Sequence, residues 1–290
     1  MLSSISLCMI TSAQGLPSLS QADTPTLAGD GLPARETGPW VHDKKYYFER
    51  YLDIFTNGVG KKWKGQLAYA DLFSGPGKSI VRETCEVVNG SPLVALEYNF
   101  ARYVFVDVPD VIATLRERLK DHPKKDCIRL IEGDCNTVVD DIRAALPTNH
   151  LTLAFIDPTG LQIQFKTIKR LVEARKIDLL MTIQFGMGIK MNIHQYIAAN
   201  KAKLSAFLGN DSWRADAKAV GVVSDLCQRI LRRYIGELQN LGFGMVREIP
   251  IHNQNNLLLY FMVLASRHPL GEQFWLKITD IKSSGQRRLF

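Results

Sequence analysis

With 290 residues, 46% of them hydrophobic and 22% charged, the chain can bury a substantial core, as one large domain or two small ones. Its longest apolar run, LLLYFMVLA at 257–265, falls far short of the roughly 20 residues of a membrane-spanning helix. Five scattered cysteines without C-x-x-C spacing suggest neither a disulfide framework nor a thiolate metal site, and point to a reducing, cytoplasmic setting; the net charge of +7 admits a polyanionic partner.

Residues 1–39 are rich in serine, proline and glycine and show no hydrophobic period, which predicts a disordered tail. The segment lacks the positive start and unbroken apolar core of a signal peptide. Order is expected from residue 40. In DKKYYFERYLDIFTN the residues Tyr47, Phe48, Tyr51, Leu52 and Phe55 recur at three- and four-residue intervals, a helical core-facing stripe.

The stretch YADLFSGPGKS, 69–79, comes next. It looks like a phosphate-binding turn, but the register fails: a P-loop needs glycine where Leu72 stands, and the dinucleotide fingerprint needs one at Ile80. What remains is an aspartate closing a strand and glycines that let backbone approach a ligand.

Apolar runs at 66–73, 103–108, 128–134, 151–157 and 178–185 read as buried strands. Between them, SPLVALEYN with Ser91 as N-cap, PDVIATLRERLK, NTVVDDIRAAL and FKTIKRLVEARK read as crossover helices, so the sheet is parallel and doubly wound. A helical insertion at about 190–241 leads to two strand-like runs, GMVREIPI and NNLLLYFMVLAS, close enough to pair antiparallel. The expectation is an α/β, Rossmann-like domain over 40–290: a mostly parallel seven-stranded sheet with an antiparallel last strand, flanked by helices.

Taken together, ADLFSGPG, GSPLVAL, GDCN, FIDPTG, DLLMTIQF and LLLYFMVLASRHPLGEQFWLKI resemble the three-Cys-motif partner protein family, over roughly residues 40–285. The resemblance implies a class I methyltransferase fold with S-adenosylmethionine as cofactor. It implies that Asp71, Phe73, Gly75 and Gly77 hold the amino-acid part of the cofactor, that Asp107 accepts from the ribose hydroxyls, and that Asp134 meets the adenine edge. A turn or capping aspartate is the alternative reading of Asp107, whose strand-end location favours a ligand, and an equal one for Asp134.

Asp157 and Pro158 resemble the start of the Asp-Pro-Pro-aromatic motif with which amino-methyltransferases position an exocyclic amine, and are the catalytic candidates. Thr159 departs from that motif, and also from the Asp-Pro-Phe-Gly common in the family, so a stacking ring is missing; Phe165 or Phe185 would have to replace it. No Pro-Cys dipeptide supports a cytosine-C5 mechanism.

The basic surplus lies entirely in residues 161–290, with Lys169, Arg170, Arg232 and Arg233 as the candidate nucleic-acid footprint. A solvated helix surface is the competing reading. Histidine spacing implies no metal. Two functions stay open: methyl transfer to an amino group of a nucleic acid or to another macromolecule, and a non-catalytic cofactor-binding subunit of a protein complex.

Overall fold

The computed structural model describes residues 26–184, 189, 192–198, 202–219, 223–253, 255–268 and 270–280. Strand β1 (Arg35–Thr37) precedes helix α1 (Val41–Asp53), which passes through a π-helical turn (Ile54–Val59) into the short α2 (Gly60–Lys62). There follow β2 (Leu67–Asp71), β3 (Lys78–Val81), β4 (Val87–Asn89), α3 (Ser91–Leu96), β5 (Arg102–Asp107), α4 (Pro109–Leu119), β6 (Ile128–Glu132), α5 (Val139–Ala145), β7 (Leu151–Ile156), α6 (Phe165–Val172) and β8 (Ile177–Ile183). Helices α7 (Ile193–Ala198), α8 (Ala202–Leu208), α9 (Trp213–Ala219) and α10 (Val223–Asn240) intervene before β9 (Met245–His252), β10 (Leu258–Ser266) and α11 (Leu270–Thr279).

One sheet has the order β6-β5-β2-β7-β8-β10-β9. Neighbours from β6 to β8 pair in parallel, whereas β10 runs antiparallel to both β8 and β9. This is the expected mostly parallel seven-stranded sheet with one reversed strand. The chain moves outward from β2 through β5 to β6 and then returns to β7 on the other side of β2. The carboxyl ends of β2 and β7 therefore flank the switch point, where open α/β sheets leave a crevice.

Strand residues alternate between two cores, as the two-residue period requires. Ala70, Val104 and Ala154 face the layer of α5, α6, α8 and α10, while Tyr69, Phe105 and Phe155 face α1, α3, α4 and α11. The stripe on α1 is buried as expected, and Phe48 lies 4.4 Å from Phe155 between ring centroids. Each such fully buried ring contributes about 1.5–3 kcal/mol, so α1 is anchored directly over the end of β7.

Two expectations are corrected. Residues 26–39 are not a structureless tail: β1 pairs with β3 in a second sheet, β1-β3-β4. The cause is Arg118 of α4, whose side chain is only 3% exposed and needs acceptors. Its guanidinium donates to Asp30 at 2.9 and 3.1 Å, to the carbonyls of Leu32 and Pro33 at 2.9 and 2.8 Å, and to that of Pro76. Residues 1–25 lie outside the described residues. The strands of this small sheet bury only Val81 and Val88, with Val41 of α1, too few for a period to be visible. The second correction concerns α3: its N-cap is Gly90, and Ser91 is the first helical residue.

Candidate functional site

The chain leaving β2 is pinned on both sides, since the Leu72 amide donates to Phe155 of β7 and the Ser74 amide to Val106 of β5, both at 3.0 Å. It then turns through Gly75 at φ +67° and Gly77 at φ +95°, left-handed backbone that side chains rarely adopt. A Cβ on Gly75 would point into open space, so the turn presents bare backbone to a cleft.

Asp71 lies beneath this turn, fully buried, and is not among the cleft-lining residues. Its carboxylate accepts from the Tyr69 hydroxyl at 3.1 Å, from the Phe73 amide at 3.3 Å and from the side chain of Ser91. Burial pushes its pKa up to about 7 against those hydrogen bonds. Asp71 thus ties β2, the turn and α3 together from below.

The cleft occupies the switch point. Phe73, Gly75 and Gly77 line one wall and Phe155 and Asp157 the other, with α1 and the small sheet closing it. Asp157 is 12% exposed and both its oxygens are engaged: Lys44 Nζ donates to Oδ2 and Thr182 Oγ1 to Oδ1, each at 2.6 Å. Burial alone would raise this carboxyl. The Lys44 charge and hydrogen bond, the Thr182 hydroxyl and the field of Arg35 outweigh it, so the pKa lies below the usual value.

Lys44, Thr182 and Arg35 were not legible as site residues, although Lys44 left a signal. It sits four residues before Phe48 and seven before Tyr51, so a lysine occupies the core-facing stripe of α1.

Asp107 and Asp134 end up elsewhere along the same edge. Sheet order places them at the ends of β5 and β6, giving the succession Asp134, Asp107, glycine turn, Asp157, and neither lines the cleft. Asp107 accepts from the Gly75 amide and the Val108 amide, each at 2.8 Å, so its carboxylate clasps the turn. Exposed Asp134 accepts from the amide and side chain of Asn136 at 2.9 and 2.8 Å, a local Asx turn. Asn136 in turn reaches Gln162, Gln164 and Thr167, fastening this turn to the loop before α6.

Pro158 is buried and its carbonyl accepts from Gln184 at 3.0 Å. Exposed Thr159 accepts from the Gln162 side-chain amide, whose oxygen takes the Gly160 N–H. Phe165 supplies no substitute ring for the motif: it is buried against Tyr234, 5.8 Å away and edge-on, within the α6 and α10 layer. Phe185 lies outside the described residues. The rings at the cleft are instead Phe48, Phe73 and Phe155.

The four basic candidates divide. Lys169 and Arg232 are exposed, but Arg170 pairs with Asp140 at 2.7 Å and with Glu173 at 2.5 Å, and Arg233 pairs with Asp216. A separate set of cations, Arg35, Lys44, Lys45 and Lys78, lines the cleft. Among the described residues no cluster of histidine, cysteine and acid could hold a metal, and no helix is long and apolar enough to cross a membrane.

No family model matches the sequence, and no curated protein matches it either. Solved structures do. A protein of Legionella pneumophila superposes with TM-score 0.51 and 12% identity, over 83% of this chain and 91% of its own. An O-methyltransferase from Bacillus cereus in complex with SAH gives 0.46 and 9%, over 82% and 85%, and the METTL16 MTase domain gives 0.45 and 10%, over 84% and 73%. At 12% identity the first of these bears on the fold alone and leaves the activity to the site.

Proposed function

We propose that the chain binds S-adenosylmethionine across the ends of β5 and β2 and transfers its methyl group to a nucleophile held beside Asp157. The observation that carries this reading is the cleft at the switch point, with bare glycine backbone on one wall and a half-buried, ionised carboxylate on the other. The fit to the cofactor rests on Gly75, where any side chain would fill the cleft. Phe73, Gly75 and Gly77 would hold the amino-acid end, and Asp107, freed from its clasp on the turn, would accept from the ribose. Asp134, next along the edge, would meet the adenine.

When bound, the cofactor supplies an electrophilic methyl on a sulfonium. The chain contributes position and charge. Asp157, held on both oxygens and partly open to the cleft, orients the acceptor by hydrogen bonding, and the rings of Phe48 and Phe155 give that corner an apolar floor. An amino group of a nucleic acid base is the acceptor proposed. Calorimetry with S-adenosylmethionine against ATP and NAD is the test: binding of the first alone is expected, and no binding of it would end the reading.

A second reading, a cofactor-binding subunit within a protein complex as in the three-Cys-motif partner resemblance, is favoured by one feature. Lys44 already occupies the Asp157 oxygen that an amine would need, and Thr159 brings no ring. Formation of S-adenosylhomocysteine on incubation with total cellular RNA separates the two.

A further inference from the structure

The charge lining the switch-point cleft does not suit a basic acceptor. Arg35, Lys44, Lys45 and Lys78 line it against a single acid, Asp157, which Lys44 and Thr182 have already satisfied. Lys78 is tied to Asp30 at 2.8 Å. Among the described residues Lys45 forms one ion pair, with Glu49 of its own helix at 3.6 Å, both side chains about a third exposed and the pair weak on that account. Arg35 forms no ion pair among the described residues, yet its field reaches Asp157. A cationic wall with spare donors faces the place where the acceptor must enter.

Beyond that wall, the first turn of α1 borders a neighbouring hollow in which Trp40, His42, His252 and Asn253 stand beside two acids, Asp43 and Glu83, and the guanidinium of Arg82 lies 5.8 Å from the Trp40 ring centroid. Cations followed by an indole face and side-chain amides are the chemistry that takes phosphates and unstacked bases of a single strand. The helices α6 and α10 are less suited, because Arg170 and Arg233 are spent on Asp140, Glu173 and Asp216.

Resting on the methyl-transfer reading, we propose that the acceptor is a single-stranded nucleic acid with one phosphate against Arg35 and another against Lys45, the strand running over β1 and the start of α1 and not along α6 and α10. The residues 26–37 that Arg118 pins to the glycine turn are then a wall of the substrate site.

The test is fluorescence anisotropy of a short labelled single-stranded RNA, titrated with the full chain at several salt concentrations, alongside calorimetry with S-adenosylmethionine. Arg35→Gln/Lys45→Gln is expected to weaken RNA binding about tenfold or more and to flatten the plot of log affinity against log salt by about 1.4, two contacts at about 0.7 each. Lys169→Gln/Arg232→Gln is expected to change it less than about twofold, on the same scale. Thermal melts confirm that both variants fold, and Arg35→Lys, which keeps the charge, should restore most of the affinity.

Three outcomes overturn the proposal: RNA binding by Arg35→Gln/Lys45→Gln equal to the parent's, loss carried by Lys169→Gln/Arg232→Gln instead, or a parent that binds no RNA. If Arg35→Gln/Lys45→Gln loses S-adenosylmethionine and keeps RNA, the cations serve the donor's carboxylate and the proposal falls. A parent that binds cofactor but no RNA sinks this inference alone, whereas one that binds RNA but no cofactor sinks the methyl-transfer reading alone.

Discussion

Strands β2 and β7 lie side by side, and at the carboxyl end of each stands an aspartate, one fully buried and one half-buried, yet the two carboxyls are driven in opposite directions. Asp71 meets three uncharged donors, and burial carries its pKa up to about 7. Asp157 is half-buried, which also raises it, but Lys44 adds a full charge at 2.6 Å and Thr182 a hydroxyl, and the balance turns downward. One cation, projected from α1, makes the difference. Near neutral pH the end of β2 holds a proton loosely and keeps the turn in shape, while the end of β7 holds a fixed negative charge beside the cleft.

The largest expected effect tests the β2 side. A carboxyl whose folded pKa is raised contributes most below its unfolded pKa, near pH 4, and that contribution is lost as pH rises through about 7. At its upper limit the loss is about 4 kcal/mol, since each tenfold gain in proton affinity on folding is worth about 1.4 kcal/mol. Asp71→Asn, which mimics the protonated group and keeps an acceptor, should remove that decline and unfold later than the parent at pH 8, with the gap closing toward pH 5. Chemical denaturation at several pH values checks this, and parallel curves for the two proteins would mean that Asp71 is not raised.

Asp157→Asn is the matching change at β7. Its carboxyl is lowered, so its stability contribution is present above about pH 4 and is lost only below it; stability between pH 5 and 8 should keep the parent's dependence. Turnover, once an acceptor is known, should fall about a hundredfold, the low end for loss of a positioned polar group, with cofactor affinity little changed. Loss of both together would mark Asp157 as part of the scaffold.

The contrast between these strand ends was only half visible in the sequence. The seven main strands, the stripe on α1 and the order of Asp71, Asp107, Asp134 and Asp157 follow from hydrophobic period and from loops after strands, which are local signals. What each aspartate meets is not local. Lys44 lies 113 residues from Asp157 and Thr182 lies 25 away, and only sheet order brings them together. The sheet β1-β3-β4 escaped for another reason: its strands are three or four residues long and mostly solvent-facing, so neither alternation nor composition marks them, and a single buried arginine holds residues 30–33 in place. Net charge by half-chain does not tell which cations of the proposed basic footprint are already paired: Arg170 and Arg233 are, whereas Lys169 and Arg232 are exposed.

A smaller effect is expected where the clasp of Asp107 meets the β2 turn. Asp107→Ala removes the acceptor of the Gly75 and Val108 amides as well as the proposed ribose contact. Cofactor affinity should drop by about 1–3 kcal/mol, the scale for an unsatisfied buried partner, or about five- to 150-fold by calorimetry. Unchanged affinity would take Asp107 out of the cofactor site.

The smallest pair of changes sharpens the comparison most, because it deletes one hydroxyl at each strand end. Ser91→Ala takes a donor from Asp71, and Thr182→Val takes one from Asp157 with little change of shape. Each should cost about 1 kcal/mol at pH 8, where both carboxyls are ionised and a hydrogen bond to charge is at its strongest. At pH 5.5 the two should part. Asp71 is then protonated and can donate its own hydrogen, so the cost of Ser91→Ala should shrink toward zero; Asp157 stays ionised against Lys44, so the cost of Thr182→Val should hold. Denaturation midpoints of both variants and the parent at the two pH values decide it. Equal pH dependence would show that Lys44 does not separate the two aspartates, and the charge assigned to the β7 end of the cleft would have to be withdrawn.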